Sequence, residues 1–340
     1  MAVEGFAFEA SVSPCYASRV FTMRFSQRSA TADAAARADL YAATIDMCAW
    51  AESHGALAAI LSQHHASDDG YLPSPVPLAS AIAARTTTLP ITVAALLLAL
   101  YEPVKLAEDL AVVDLISRGR VSYVVGIGYR DEEFDMFGVD RRGRGRLVEE
   151  RIGLLQRLWS GEQVEVDGRT VHITPPPFSP GGPMLAYGGG TEVAARRAGR
   201  LGLMFMAESH DTTLEEAYRA TGGDAAPGCF FAPAGVPNTV FVADDPERAW
   251  AEIGEYLLLD ALSYSGWNAH REGTVSISRA PTVAELAAEK GAYQIITPAE
   301  ARDLIARGNA LGLQPLVGGI PRDVAWPYLE NAAAVSAAVA

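Results

Sequence analysis

The alternation of apolar runs and helical segments predicts an α/β fold: a (β/α)8 TIM barrel with insertions in its βα loops, built as one domain from residues 1–340. Three observations carry that expectation. Strands that alternate with helices must pair in parallel, because each crossover returns across the sheet face. The apolar runs centre near residues 7, 58, 93, 123, 185, 204, 240 and 315, which makes eight. Eight such units suit a chain of 340 residues once loop insertions are allowed. A doubly wound open sheet is the rival, but it ordinarily shows a glycine fingerprint after its first strand, and residues 6–14 contain none.

The elements follow in order. A helix over residues 40–54 stops at Gly55 and precedes a short apolar run at 57–61. A second helical stretch closes at 81–85, and Pro90 introduces a buried strand beginning at Ile91. Pro103 stands at the first turn of the next helix, where Leu106, Leu110, Val113 and Ile116 recur at helical spacing before Gly119 ends it. The strand at 121–127 is apolar until Gly126 and Gly128. A helix over 144–159 sets Leu147, Ile152, Leu155, Leu158 and Trp159 on one side. Two β-like runs, 163–166 and 169–173, flank the turn dipeptide Asp167-Gly168. Strands at 184–187, 203–206, 239–242 and 313–317 complete the set, with a helix opening near Thr191. Residues 222–237 and 263–297 read as loops or insertions.

Composition narrows the function. Lys and Arg number 27 against 41 Asp and Glu, a formal charge of −14, with 49% hydrophobic and 20% charged residues. An acidic chain lacks the basic patch that nucleic acid or an anionic membrane requires. The longest apolar run, 91–100, is half the length of a membrane span, and the N-terminus shows no signal peptide. Three cysteines in no metal-binding spacing suit reduced thiols, and the expectation is a cytoplasmic enzyme without a metal.

Active sites of such barrels lie at the C-terminal strand ends. There the sequence offers Gln63-His64-His65, Ala94-Ala95, Tyr129-Arg130 and Gly188-Gly189-Gly190-Thr191. Successive side chains of an extended backbone point to opposite faces, so the two histidines are a poor grip for one metal ion. One of them suits general acid or base work; the alternative is a structural, hydrogen-bonded imidazole. Three glycines before a helix N-terminus suit a phosphate cradle, or a plain strand-to-helix turn. The basic cluster Arg141, Arg142, Arg144 and Arg146 reads as a solvated helix start paired with Glu149 and Glu150, the alternative being a contact to an anionic ligand.

Residues 102–120 (EPVKLAEDLAVVDLISRGR), the strand to Gly128, Asp131-Glu-Glu-Phe, Phe137-Gly138, Leu158-Trp-Ser-Gly161 and the Asp167-Gly168 hairpin together resemble the bacterial luciferase-like family of flavin-dependent oxidoreductases. The resemblance implies a flavin-dependent monooxygenase that oxidises a small organic substrate with reduced FMN and molecular oxygen. It implies His64 as general acid or base at the flavin. Ala94 and Ala95 fall at a non-proline cis peptide under the ring, and Gly188, Gly189, Gly190 and Thr191 hold the phosphate with Tyr129 and Arg130 nearby. Gln63, His65 and Tyr101 fall on the substrate side. A homodimer and a separate flavin reductase are implied as partners. The alternatives are a hydride-transfer enzyme using the deazaflavin coenzyme F-420 and a non-catalytic flavin-binding protein. A phosphosugar barrel enzyme lacks the expected lysine or carboxylate at the strand ends.

Three residues depart from the family's usual pattern. Gln63 replaces an acidic residue, and a neutral amide cannot stabilise an imidazolium, so a raised His64 pKa is not expected. Ala99 stands where proline is common and Glu102 where histidine is frequent, so substrate class does not carry over.

Overall fold

The computed structural model describes residues 20–223, 226–268 and 277–339. The strand expected near residue 7 lies outside them, and the first described strand is β1 (Phe21–Phe25), whose Phe21, Met23 and Phe25 are buried while Thr22 and Arg24 are half-exposed. Then come α1 (Ala34–Ala51), β2 (Ala56–Leu61), α2 (Pro75–Arg85), β3 (Ile91–Leu97), α3 (Pro103–Ser117) and β4 (Val121–Gly126). A short α4 (Asp131–Phe137) and the longer α5 (Arg144–Trp159) precede the antiparallel hairpin β5 (Val164–Val166) and β6 (Arg169–Val171). Asp167 and Gly168 both take positive φ there, as a tight two-residue turn requires.

The second half continues with β7 (Leu185–Gly189), α6 (Glu192–Arg200), β8 (Met204–Ala207), α7 (Thr213–Gly222), β9 (Cys229–Phe231), β10 (Thr239–Val242) and α8 (Pro246–Trp267). It closes with α9 (Val283–Glu289), β11 (Tyr293–Ile296), α10 (Pro298–Ala306), β12 (Leu311–Leu313) and α11 (Arg322–Val339). Ten strands form one sheet in the order β11-β10-β12-β1-β2-β3-β4-β7-β8-β9, every pair parallel. Phe21 pairs with Leu311 and Met23 with Leu313, so the first described strand lies beside the last. Helices flank this parallel core, in keeping with a barrel-like fold.

Among the described residues the sheet has ten strands, against the eight expected. The two additions, β9 and β11, sit at the ends of the ladder, in the segments read as loops. The last strand is earlier than expected, 311–313 rather than 313–317, because Pro315 has no N–H to donate to a ladder. α1 starts at Ala34, ahead of Leu40, where Asp33 caps it by accepting the Ala36 N–H at 2.9 Å. Glu102 serves as the N-cap of α3, accepting the Lys105 N–H at 2.6 Å. The Arg120 guanidinium donates to the carbonyls of Ala83, Thr86 and Leu89, which satisfies the C-terminal end of α2 and ties it to the start of β4. No helix among the described residues is long and apolar enough to cross a membrane.

Candidate active site

The chain leaves β2 through Ser62-Gln63-His64-His65, and both imidazoles are buried at 8% exposure. Their partners differ, as an extended backbone dictates. His64 Nδ1 lies 2.8 Å from Oε1 of Glu133, a fully buried carboxylate in the first turn of α4. The same oxygen accepts the backbone N–H of His65 at 2.9 Å. Arg130 stands 3.8 Å from it and donates to the carbonyls of His65 and Ala66 at 2.6 and 3.2 Å. Glu133 Oε2 is buried with no hydrogen-bond partner. A carboxylate only accepts, so His64 carries a proton on Nδ1 and turns Nε2 toward the Tyr129 hydroxyl, 3.3 Å away.

Burial dominates the His64 titration and lowers its pKa from the ordinary value. The hydrogen bond and charge of Glu133 push the other way without prevailing, and Arg130 and Arg28 add to the lowering. The imidazole is therefore neutral at pH 7, with the Nε2 lone pair facing the Tyr129 hydroxyl. This agrees with the expectation that its pKa is not raised. The reason differs, because a carboxylate is present, supplied by Glu133 rather than by position 63.

Aromatic rings enclose His64. The ring centroids of Trp267, Tyr71 and Tyr129 lie 4.8, 5.0 and 5.3 Å from that of the imidazole. Behind them, Arg28 is wholly buried, its Nε 2.7 Å from Asp69 and its Nη1 3.0 Å from the equally buried Asp260. Its guanidinium carbon stands 4.6 to 5.0 Å from the rings of Trp267, Tyr264 and Tyr71, while Arg130 reaches the Trp267 ring at 4.2 Å. Desolvation opposes the Arg28 charge, yet Asp260, Tyr264, Asp69 and Tyr71 hold its pKa above the ordinary value.

Beside the histidines, the C-terminal ends of β3, β4 and β7 present Ala94, Ala95, Gly126 and Gly188, half-buried and carrying at most a methyl group. The peptide between Ala94 and Ala95 is cis. A Cβ at Gly126 would lie 2.8 Å from that of Ala95, and one at Gly188 3.0 Å from Val124. The floor is thus backbone and methyl groups, which fits a flat ring. None of Gly188, Gly189 and Gly190 takes a positive φ, so these glycines answer to space and not to turn geometry. At Gly189 a Cβ would stand 2.6 Å from Ala194, so strand and helix approach closely. At Gly190 the nearest atom is Glu208 Cβ at 3.6 Å, which is ordinary contact. Thr191 caps α6 by accepting the Ala194 N–H at 3.2 Å, leaving a helix N-terminus beside this loop.

Several expected placements shift. Tyr129 and Arg130, expected near the glycine loop, make hydrogen bonds to the end of β2. Gln63 and Tyr101 bond each other, the amide donating to the phenol at 2.9 Å, and His65 joins them through the same amide. In the basic cluster Arg146 pairs with Glu150 at 3.3 Å and Arg141 with Asp131 at 2.7 Å, whereas Glu149 pairs with Arg197 and Arg200. Several residues of the site escaped sequence reasoning, Tyr71 among them. Glu133 was visible only as part of the Asp131-Glu-Glu-Phe segment, Arg28 followed a strand sought elsewhere, and Trp267 lay in a stretch read as loop.

Residues 19–313 match the sequence family described as luciferase-like monooxygenase. An uncharacterized protein, y4vJ, from Sinorhizobium fredii is 29% identical over 136 residues, which is 40% of this chain and 39% of that one. The chain thus spans about two fifths of that relative's length. Two solved structures share the fold. Monooxygenase RslO1 from Streptomyces bottropensis superposes with a TM-score of 0.70 at 22% identity, covering 93% of this chain and 98% of its own. The oxygenating constituent of 3,6-diketocamphane monooxygenase from Pseudomonas putida, in complex with FMN, does so at 0.68 and 19%, covering 94% and 97%. With the match running from ahead of β1 through β12, the chain belongs to the luciferase-like monooxygenase family.

Proposed function

We propose that the protein is a flavin-dependent monooxygenase that uses reduced FMN and molecular oxygen to oxidise a small organic substrate. The observation that carries this reading is a neutral, carboxylate-oriented His64 set beside a floor of Ala94, Ala95, Gly126 and Gly188. Bound reduced FMN would supply the oxygen-activating chemistry. The chain's own residues do the rest. Ala94 and Ala95 leave room for the ring, while Gly188, Gly189, Gly190 and Thr191, at the positive end of α6, hold the phosphate. Tyr71, Tyr129 and Trp267 exclude water around the imidazole. His64 Nε2 accepts or returns a proton, Glu133 keeping that nitrogen turned to the reacting side.

The architecture we propose is the eight-unit barrel of the whole chain, with β9 and β11 as additions to it. Val112, Leu115 and Ile116 expose 43, 39 and 43% of their surface along one face of α3, which supports a homodimer contact. The acidic surface and reduced thiols support a cytoplasmic site of action, with a separate reductase delivering the flavin.

Oxygen uptake decides the central claim. Protein mixed anaerobically with reduced FMN, then exposed to oxygen and candidate substrates, is expected to form oxygenated product. Activity with the reduced deazaflavin coenzyme alone, and no dependence on oxygen, would overturn it. Two further outcomes follow from the geometry. Gly190→Ala meets no atom closer than 3.6 Å, so it should fold and melt as the parent does while FMN affinity falls several-fold; unchanged affinity removes the phosphate role. Because His64 titrates below its ordinary 6.5, the acidic limb of the rate profile should also lie below 6.5. The unfolded chain takes up this proton first as pH falls, so the same group withdraws stability below that value.

A further inference from the structure

We infer that Gln63 is a positioning residue that fixes His65 as a neutral imidazole with its proton on Nδ1, while clamping the end of β2 to β3. The donors and acceptors around Gln63 fix this independently of the reaction proposed above. The backbone N–H of Leu97 can only donate, and it stands 2.9 Å from Gln63 Oε1. That contact fixes which end of the amide is oxygen. Gln63 Nε2 then faces His65 Nε2 at 2.7 Å, the Tyr101 hydroxyl at 2.9 Å and the Pro73 carbonyl at 3.3 Å. An amide nitrogen offers two hydrogens and no lone pair, so none of the three partners can donate to it and they share its two hydrogens as acceptors. His65 Nε2 is therefore unprotonated. An imidazolium would set one N–H against another at 2.7 Å.

The surroundings agree. His65 packs edge-on against Phe137, with ring centroids 4.7 Å apart. The charged groups around it are Glu133 and Arg130 from the α4 segment, and His64 from its own is titratable. Burial lowers its pKa, Glu133 opposes this, and His64 and Arg130 reinforce it. Every polar atom of Gln63 is thus spent within the protein, where the resemblance placed it toward substrate. Leu97 follows the register break between Ala94 and Leu96, so the amide also anchors the strand just past the cis peptide. A carboxylate at position 63 would reverse the arrangement at His65, accepting from a protonated Nε2 and favouring the charged ring.

Histidine-selective 15N and 13C NMR of the chain without added flavin tests this, with His65 assigned by loss of its signal in His65→Asn. His65 is expected to show the Nδ1–H tautomer and to titrate below 6.5, the ordinary value. Gln63→Glu is expected to raise that titration by at least about one pH unit, a tenfold change in the proton equilibrium. An Nε2–H tautomer in the parent protein, or titration at or above 6.5, overturns the inference whether or not the variant folds. A folded Gln63→Glu protein with His65 unmoved overturns it as well. Oxygen uptake plays no part in this readout, so failure of the monooxygenase reading stays distinguishable.

Discussion

Replacing His64 by alanine is expected to lower the rate of substrate oxidation by about 10²- to 10⁴-fold, the usual contribution of a positioned acid or base. FMN affinity should change only a few-fold, because the ring floor and the phosphate cradle proposed above come from β3, β4 and β7. The size of the effect follows from how the imidazole is held. Glu133 fixes the tautomer through a 2.8 Å hydrogen bond, and three aromatic rings exclude the water that would replace the base. Glu133→Gln offers a graded companion, since an amide can keep the orientation while giving up the charge. Steady-state oxygen consumption, with product quantified beside it, separates oxidation of substrate from unproductive turnover of flavin. A His64→Ala enzyme that keeps full product yield would remove this residue from the chemistry.

The second large effect concerns stability. Arg28→Ala should lower the unfolding free energy by about 3–5 kcal/mol, the range seen when one partner of a buried ion pair is removed. Asp260 is then left at 0% exposure with the Tyr293 hydroxyl, 2.7 Å away, as its remaining side-chain hydrogen bond. Asp69 loses its 2.7 Å partner, and Tyr71, Tyr264 and Trp267 lose a cation against their rings. Denaturant or thermal unfolding of variant and parent measures the loss, and a change below about 1 kcal/mol, the scale of an exposed pair, contradicts the argument. Because Trp267 also touches His64, a folded variant should show altered tryptophan fluorescence before it shows altered flavin binding.

How much of this was legible beforehand depended on the range over which each signal acts. Apolar runs and proline or glycine punctuation are local, and they located β2, β3, β4, β7, β8 and β10 within a residue or two. The same local logic anticipated the Asp167-Gly168 turn and Thr191 as a cap. β1 shows a plain alternation, FTMRF, yet an earlier apolar stretch drew the first strand away from it. β11 carries only four residues, YQII, inside a long insertion, too short a run to outweigh its surroundings. Long-range pairings were invisible for a different reason. Nothing in the spelling of Gln63-His64-His65 says that a carboxylate 69 residues away closes on His64. Nor does the spacing of Arg28 and Asp260, separated by 232 residues, suggest that the two meet. Such contacts are products of the assembled sheet, and the resemblance to a known family touched only the segment that holds Glu133.

The pairing of Phe21 with Leu311 bears on how the molecule comes into being. On the ribosome, β1 can recruit β2 as soon as Ala56–Leu61 emerges, but its opposite edge must wait until Leu311–Leu313 has been synthesised. For that interval a strand bearing Phe21, Met23 and Phe25 keeps one row of amide and carbonyl groups open to solvent. Nascent chains of this protein are therefore exposed to edge-to-edge association late in translation, and productive closure depends on a contact of very high sequence separation.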